Sequence, residues 1–176
     1  MNAPRVSVVM PVLNPHPVYF REALASLLRQ DFTDFEVIVV EAPSAADAGA
    51  IIAEFGDERL RHFRFNRPTN LVEQLNRGIE EARSDLIARF DGDDISEPHR
   101  FREQIAEFAA DPNLTVLGSQ LTIIDSAGAV VGMRRYPVAE QDLVSALPRF
   151  NALAHPSTMY RRQPVRDAGG YQYARY

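Results

Sequence analysis

The sequence of 176 residues contains no cysteine. Disulfide frameworks and thiolate zinc sites are therefore excluded. There is no lysine either, so all 19 basic residues are arginines. Against 24 acidic residues they leave a net charge of -5, without the basic face of a nucleic-acid binder, and no nucleic-acid partner is expected. Glycine-rich phosphate loops are missing as well: neither G-x-G-x-x-G nor G-K-S/T occurs. Apolar runs such as VVMPVL stop far short of a bilayer span. Residues 1–5 lead straight into a strand-like run, so no secretory leader is expected. The expected location is the cytoplasm, with contact to the inner face of the membrane left open.

What is present is 45% hydrophobic, enough for the core of one domain. VSVVMPVL at residues 6–13 and FEVIVVE at 35–41 are near-continuous apolar runs that predict buried strands. LRHFRF at 60–65 predicts a weaker third strand, and LIARF at 86–90 a fourth. Apolar positions Phe20, Ala23, Leu24, Leu27 and Leu28 predict a helix over 19–29, and a second covers 47–55. A third, over 71–82, opens on a capping box of Asn70 and Glu73. Ser96 is placed to cap a fourth helix through residue 109. Such alternation implies a mostly parallel sheet with helices on both faces. Its strands then share one carboxyl edge, where ligands of open α/β sheets bind. Asn14, Glu41, Asn66 and Asp91 all fall just past strand ends. After residue 113 come shorter strands around the turn SAG, a helix over 140–147, and the extended segment NALAHPSTMYRR. A single domain of two halves is expected, with residues 1–112 binding a nucleotide and 113–176 a second substrate.

The stretch LIARFDGDDISEP drives a strand into Asp91, Asp93 and Asp94, three carboxylates within four positions. Such crowding raises the proton affinity of each, so a positive partner is expected. Oxygen donors of this kind suit magnesium, manganese or calcium rather than zinc. A calcium loop needs a longer ladder ending in a bidentate glutamate, which ISEPHRF does not supply. Magnesium and manganese take one or two carboxylates and leave room for substrate phosphates. An isolated D-x-D is more often an acidic turn; at the end of the fourth strand of a βα series the metal reading is favoured.

The chain resembles the family 2 glycosyltransferases, inverting enzymes of the GT-A fold. VSVVMPVLN with YFREALASLLRQDFTDFEVIVVE is similar to the family's opening strand, helix and second strand. LNRGIEEARSDLIARFDGDDISEPHRFREQ resembles its metal-binding segment, and NALAHPSTMYRR with GGY its acceptor-side segment. The resemblance implies a Rossmann-like α/β fold and direct displacement of a nucleoside diphosphate from a sugar. The donor would be a nucleoside-diphosphate sugar, UDP- or dTDP-linked by preference, and the acceptor a glycan or lipid-linked hydroxyl. It further implies that Pro11, Leu13 and Asn14 lie along the nucleotide and that Asp91 and Asp93 form the D-x-D. Asp93 and Asp94 would hold Mn2+ or Mg2+, which stabilises the leaving diphosphate.

Two positions depart from the family pattern. Where the family commonly has D-D-x-S, this chain has Glu41-Ala42-Pro43-Ser44. Glu41 either takes over contact with the base or is a solvated strand end. Asn70 stands where some relatives carry a basic residue near the diphosphate, and the helix-cap role is the safer reading. His155, in His-Pro-Ser, is either a structural histidine or part of the acceptor pocket, and is a weak candidate for a base. The family's base is an aspartate in a Glu-Asp pair shortly after G-G-Y, whereas only QYARY follows Gly170-Tyr171 here. The expectation is therefore that the base motif lies beyond Tyr176, with the acceptor half cut short, and that Asp167 is a helix-end residue. A sugar-nucleotide and metal-binding module without turnover is the alternative. A phosphoacceptor domain, which wants a late lysine, is set aside.

Overall fold

The computed structural model describes residues 3–173; residues 1–2 and 174–176 lie outside the described residues, Tyr176 and the last part of QYARY among them. The chain runs β1 (Val6–Val12), α1 (Pro17–Leu28), β2 (Phe35–Glu41), α2 (Ala48–Phe55), β3 (Leu60–Arg64), α3 (Leu71–Glu81), β4 (Leu86–Arg89) and α4 (Arg100–Ala110). Then follow β5 (Val116–Leu117), β6 (Leu121–Ile124), β7 (Val130–Arg134), α5 (Glu140–Ala146), a 3-10 turn (His155–Ser157), β8 (Met159–Arg161) and α6 (Arg162–Asp167). Six strands form one sheet in the order β3-β2-β1-β4-β8-β5. The first four are parallel, while β8 joins antiparallel to both β4 and β5. This is the mostly parallel α/β sheet that the sequence implies.

Alternation along β1 divides the core. Val6, Val8, Met10 and Val12 pack with Phe20, Leu24 and Leu27 of α1, Ile51 and Ile52 of α2, and Phe101 and Phe108 of α4. Val9 points the other way and packs with Ile38, Val40, Ile87 and Tyr160 against Leu75 and Ile79 of α3. Local chemistry fixes several boundaries. Pro17 opens α1, where a missing N–H costs nothing. Asp47 accepts from the Ala50 N–H to cap α2, and Gly56 ends that helix in the left-handed region at φ 59°. The Asn70–Glu73 capping box is present as expected. Pro11 is tolerated in β1, one of the two central strands, because β4 pairs only with Ser7–Val9 and has ended by that point.

Two expectations are corrected. Ser96 does not cap α4, which begins at Arg100. Ser96 is buried instead: its N–H donates to Ser26 Oγ (3.0 Å), and its Oγ accepts from Gln30 Nε2 (3.1 Å). The capping work falls to Gln30, whose Oε1 accepts from the Phe101 N–H at 3.1 Å. A residue 71 positions away in sequence thus replaces the local one. The segment read as wholly extended contains the 3-10 turn before β8 starts.

Candidate functional site at the carboxyl edge

β1, β2, β3 and β4 end at Val12, Glu41, Arg64 and Arg89 on one edge of the sheet. Asn14 and the Asp91–Asp94 loop leave neighbouring strands there and so share that edge. Two backbone carbonyls of the edge, Val12 O and Val40 O, accept from the buried Gln74 side chain at 2.7 and 3.1 Å. Leu13 is 63% exposed, and Asn14 is exposed with φ 50°, its N–H donating to Ser44 Oγ. Pro11 is buried within β1, so only Leu13 and Asn14 present side chains to a ligand at that strand end.

The three carboxylates differ. Asp93 is exposed, and Asp91 is half-buried in an ion pair with Arg89. Asp94 is half-buried, and burial together with Asp91 and Asp93 pushes its carboxyl up to about 6. Gly92 keeps the loop low over α1, because a Cβ there would lie 3.3 Å from the Phe20 ring. Among the described residues no three carboxylate or imidazole groups converge as a preformed metal cage. Two oxygen-donor side chains, Asp93 and an Asp94 in want of positive charge, nevertheless fit magnesium or manganese, which complete their shells with water and phosphate.

Glu41 is corrected on both readings. It is neither solvated nor free for a base, being 0% exposed. Its carboxylate lies 2.8 Å from His62 Nε2 and accepts from the Ala48 N–H at the start of α2 (3.3 Å). It therefore ties β2 to β3 and α2. Asn70 is the cap of α3. Asn66 sits three strands from the aspartates, beside a groove of about 470 Å³ along β3.

On the second half, His155 Nε2 bonds the Tyr171 hydroxyl at 2.9 Å. Burial, reinforced by the charge of Arg89, pushes the imidazole down to about 4. Such a ring stays neutral at pH 7 and is a weak proton acceptor. Tyr171 is also held by its backbone, whose N–H and C=O both bond the Asn76 amide (2.8 and 2.9 Å). Gly170, at φ 71°, makes this approach possible, since a Cβ would come 2.7 Å from Asn76 Oδ1. A cavity of about 430 Å³ lies beside this strut, lined by residues that include Val116, Leu153, His155, Tyr160 and Tyr171. The aspartate loop lines neither this cavity nor the groove along β3. Asp167 ends α6, as expected, and accepts from Gln163.

Sequence reasoning missed Arg89 and Asn76. Arg89 carried a signal, a lone charge in a four-residue strand that is buried throughout. Asn76 carried none, because its partner lies 95 residues away.

Solved structures share this fold. The S. aureus TarS 1-349 complex with UDP aligns with a TM-score of 0.75 at 20% identity, over 94% of this chain and 49% of that one. The mannosyltransferase PcManGT from Pyrobaculum calidifontis, in complex with GDP-Man and Mn2+, gives a TM-score of 0.67 at 17% identity, over 98% of this chain and 48% of that one. The amylovoran biosynthesis glycosyltransferase AmsE of Erwinia amylovora is 26% identical over 97% of this chain and 65% of its own length. The O-antigen biosynthesis glycosyltransferase WbnJ of Escherichia coli is 26% identical over 94% of this chain and 65% of its own length. The chain thus spans just under two thirds of these relatives. No helix among the described residues is long and apolar enough to cross a membrane. The sequence model described as "Glycosyl transferase family 2" matches residues 7–168, from the first strand to just past the last helix, and the chain belongs to that family.

Proposed function

We propose that this chain is the donor-binding part of a divalent-metal-dependent, inverting glycosyltransferase. It would transfer a sugar from a nucleoside-diphosphate sugar to a hydroxyl of a glycan or lipid-linked acceptor during surface-polysaccharide synthesis. The observation that carries the reading is the aspartate loop on the carboxyl edge beside Asn14, with Asp94 raised to about 6 by its neighbours and burial. A site that holds extra protons for lack of positive charge is one that a divalent cation relieves. The comparison proteins bind UDP, or GDP-Man with Mn2+, and two sequence relatives are named for polysaccharide synthesis, which supports the same reading.

In this reading Leu13 and Asn14 lie along the nucleoside, with Pro11 shaping the strand end beneath them. Asp91 faces the ribose, and Asp93 and Asp94 hold Mn2+ or Mg2+. When bound, the cation supplies Lewis-acid stabilisation of the charge growing on the leaving diphosphate. Asn70 and Glu41 act through the backbone they fix. His155 holds Tyr171 and is not the base. With the one acceptor-side imidazole so weakly basic, binding of donor and metal without turnover is the second reading.

The test is a thermal-shift titration with UDP-, dTDP- and GDP-sugars, with and without manganese. One donor is expected to raise the melting temperature far more with the metal than without it. A metal-independent response to all three, or none, removes the reading. Release of free nucleoside diphosphate, with the sugar passed to an acceptor hydroxyl or to water, in the same samples separates turnover from binding alone.

A further inference from the structure

We propose that Arg89 is a diphosphate-recognising residue, the chain's own cation beside the metal loop. This deepens the donor reading above and rests on it. The carboxyl edge carries two buried arginines, and they are differently placed. Arg100 is committed to protein acceptors: its Nε donates to Gln104 Oε1 at 3.1 Å, and its Nη2 to Arg89 O at 3.0 Å and Thr158 O at 3.3 Å. Arg89 is 4% exposed, yet its Nε and Nη1 have no hydrogen-bond partner among the described residues. Asp91 lies against Nη1 as an ion pair, without the direction of a hydrogen bond. A buried guanidinium has five N–H groups to satisfy, and leaving them without acceptors is costly unless an anion completes the set.

The position says which anion. Arg89 ends β4, two residues before Asp91, so it emerges between the metal loop and the second half. It shares the sheet face of Ile87, whose cluster includes Tyr160 and touches Tyr171. A nucleoside-diphosphate sugar bound at Asp91–Asp94 brings one anionic group to this junction, its diphosphate. The chain has no lysine and no glycine-rich loop to meet it. The three aspartates would repel it. A planar, delocalised guanidinium recognises phosphate oxygens in bidentate fashion, and a diphosphate offers both the charge and the geometry.

The experiment is calorimetric titration of wild type, Arg89→Met, Arg89→Lys and Asp91→Asn. Ligands are uridine, UDP (guanosine and GDP if these bind better), inorganic pyrophosphate and glucuronate, each in EDTA and in manganese. Arg89→Met is expected to lose roughly tenfold or more of the diphosphate affinity while nucleoside affinity stays within about twofold. Arg89→Lys should fall between the two. Asp91→Asn frees the guanidinium from its internal anion and is expected to tighten pyrophosphate binding in EDTA. That arm does not depend on the buried Arg89→Met variant folding. An unchanged ratio of diphosphate to nucleoside affinity in a folded Arg89→Met overturns the assignment. So does an Asp91→Asn that leaves pyrophosphate binding unchanged or weaker, or a wild type that prefers glucuronate to pyrophosphate. A wild type that binds no nucleoside diphosphate in either medium removes the donor reading itself, and this assignment with it.

Discussion

The first four strands and the elements after residue 113 hold themselves in place by different means. β1, β2 and β4 are buried along their whole length, sandwiched between α1, α2 and α4 on one face and α3 on the other. In the second half β6 and β7 form a two-stranded sheet of their own, with Val130 68% and Val131 62% exposed. Only β5 and β8 join the main sheet, and individual polar clamps hold the 3-10 turn, β8, α6 and Tyr171. Arg161 donates to Leu114 O and Phe108 O, Arg162 to Ala82 O, Gln104 to Ser157 O, and Asn76 holds Tyr171. Continuous burial gives a rigid carboxyl edge, whereas clamps can be released one at a time. Under the proposed function, the half assigned to the acceptor is the one built from separate polar contacts.

That contrast can be broken at graded points. The largest effect is expected at the metal loop: Asp93→Ala with Asp94→Ala should abolish the extra thermal shift that manganese gives to a bound nucleoside diphosphate, measured by differential scanning fluorimetry. The fold should remain, because neither side chain packs in the core. Next comes Gly78→Ala, whose Cβ would lie 2.3 Å from Val9 Cγ1 where α3 presses on β1. Overpacking of this kind costs ~1–3 kcal/mol, so the chemical-denaturation midpoint should fall with an unchanged slope. Asn76→Ala removes both bonds to Tyr171 and should cost ~1–2 kcal/mol. Its distinguishing readout is faster amide exchange around residues 168–173 with α3 and β1 unaffected. The smallest change belongs to Val131→Ser on the exposed hairpin, expected within ~0.5 kcal/mol of wild type in the same denaturation assay.

Acidity sharpens the comparison, because one titrating group of each half works in the opposite direction. His155 binds its proton at about 4 when folded against an ordinary 6.5. Its contribution to stability is therefore fully present above about 6.5 and is lost as the pH falls toward 4. Asp94 holds its proton up to about 6 against an ordinary 3.8, so its contribution is lost as the pH rises through that window. Melting temperatures between these limits should lose their acid-side fall in His155→Gln and their opposing trend in Asp94→Asn. Manganese binding displaces the Asp94 proton, so its affinity should rise with pH up to about 6 in wild type. A pH-independent manganese affinity would show that Asp94 is not a ligand.

Much of the donor half was legible because its signals are local. FEVIVVE spans a strand whose ends, Phe35 and Glu41, are those of the run itself. Asn70 and Glu73 form their box from residues three apart. The aspartate loop could be placed on an edge because a strand run names its own end. Two of the errors share one origin, a local pattern overruled by a distant partner. Ser96 looked like a cap, but Gln30 from α1 does that work. Glu41 read as either a contact for the base or a solvated strand end, but His62 and the Ala48 N–H enclose it.

The sequence by itself determined the parallel sheet, the capping box of α3, the presence of three aspartates after β4 and the exclusion of thiol and lysine chemistry. Hydrophobic period and capping act over a few residues, so they can be read in a line. Only the tertiary structure decided which of those polar groups are available. It closed Glu41 away, raised Asp94, kept His155 neutral, fastened Tyr171 to Asn76 and left Arg89 Nε and Nη1 without hydrogen-bond partners among the described residues. Ionisation and hydrogen-bond satisfaction depend on burial and on charges brought together from distant parts of the chain, and neither is encoded in spacing.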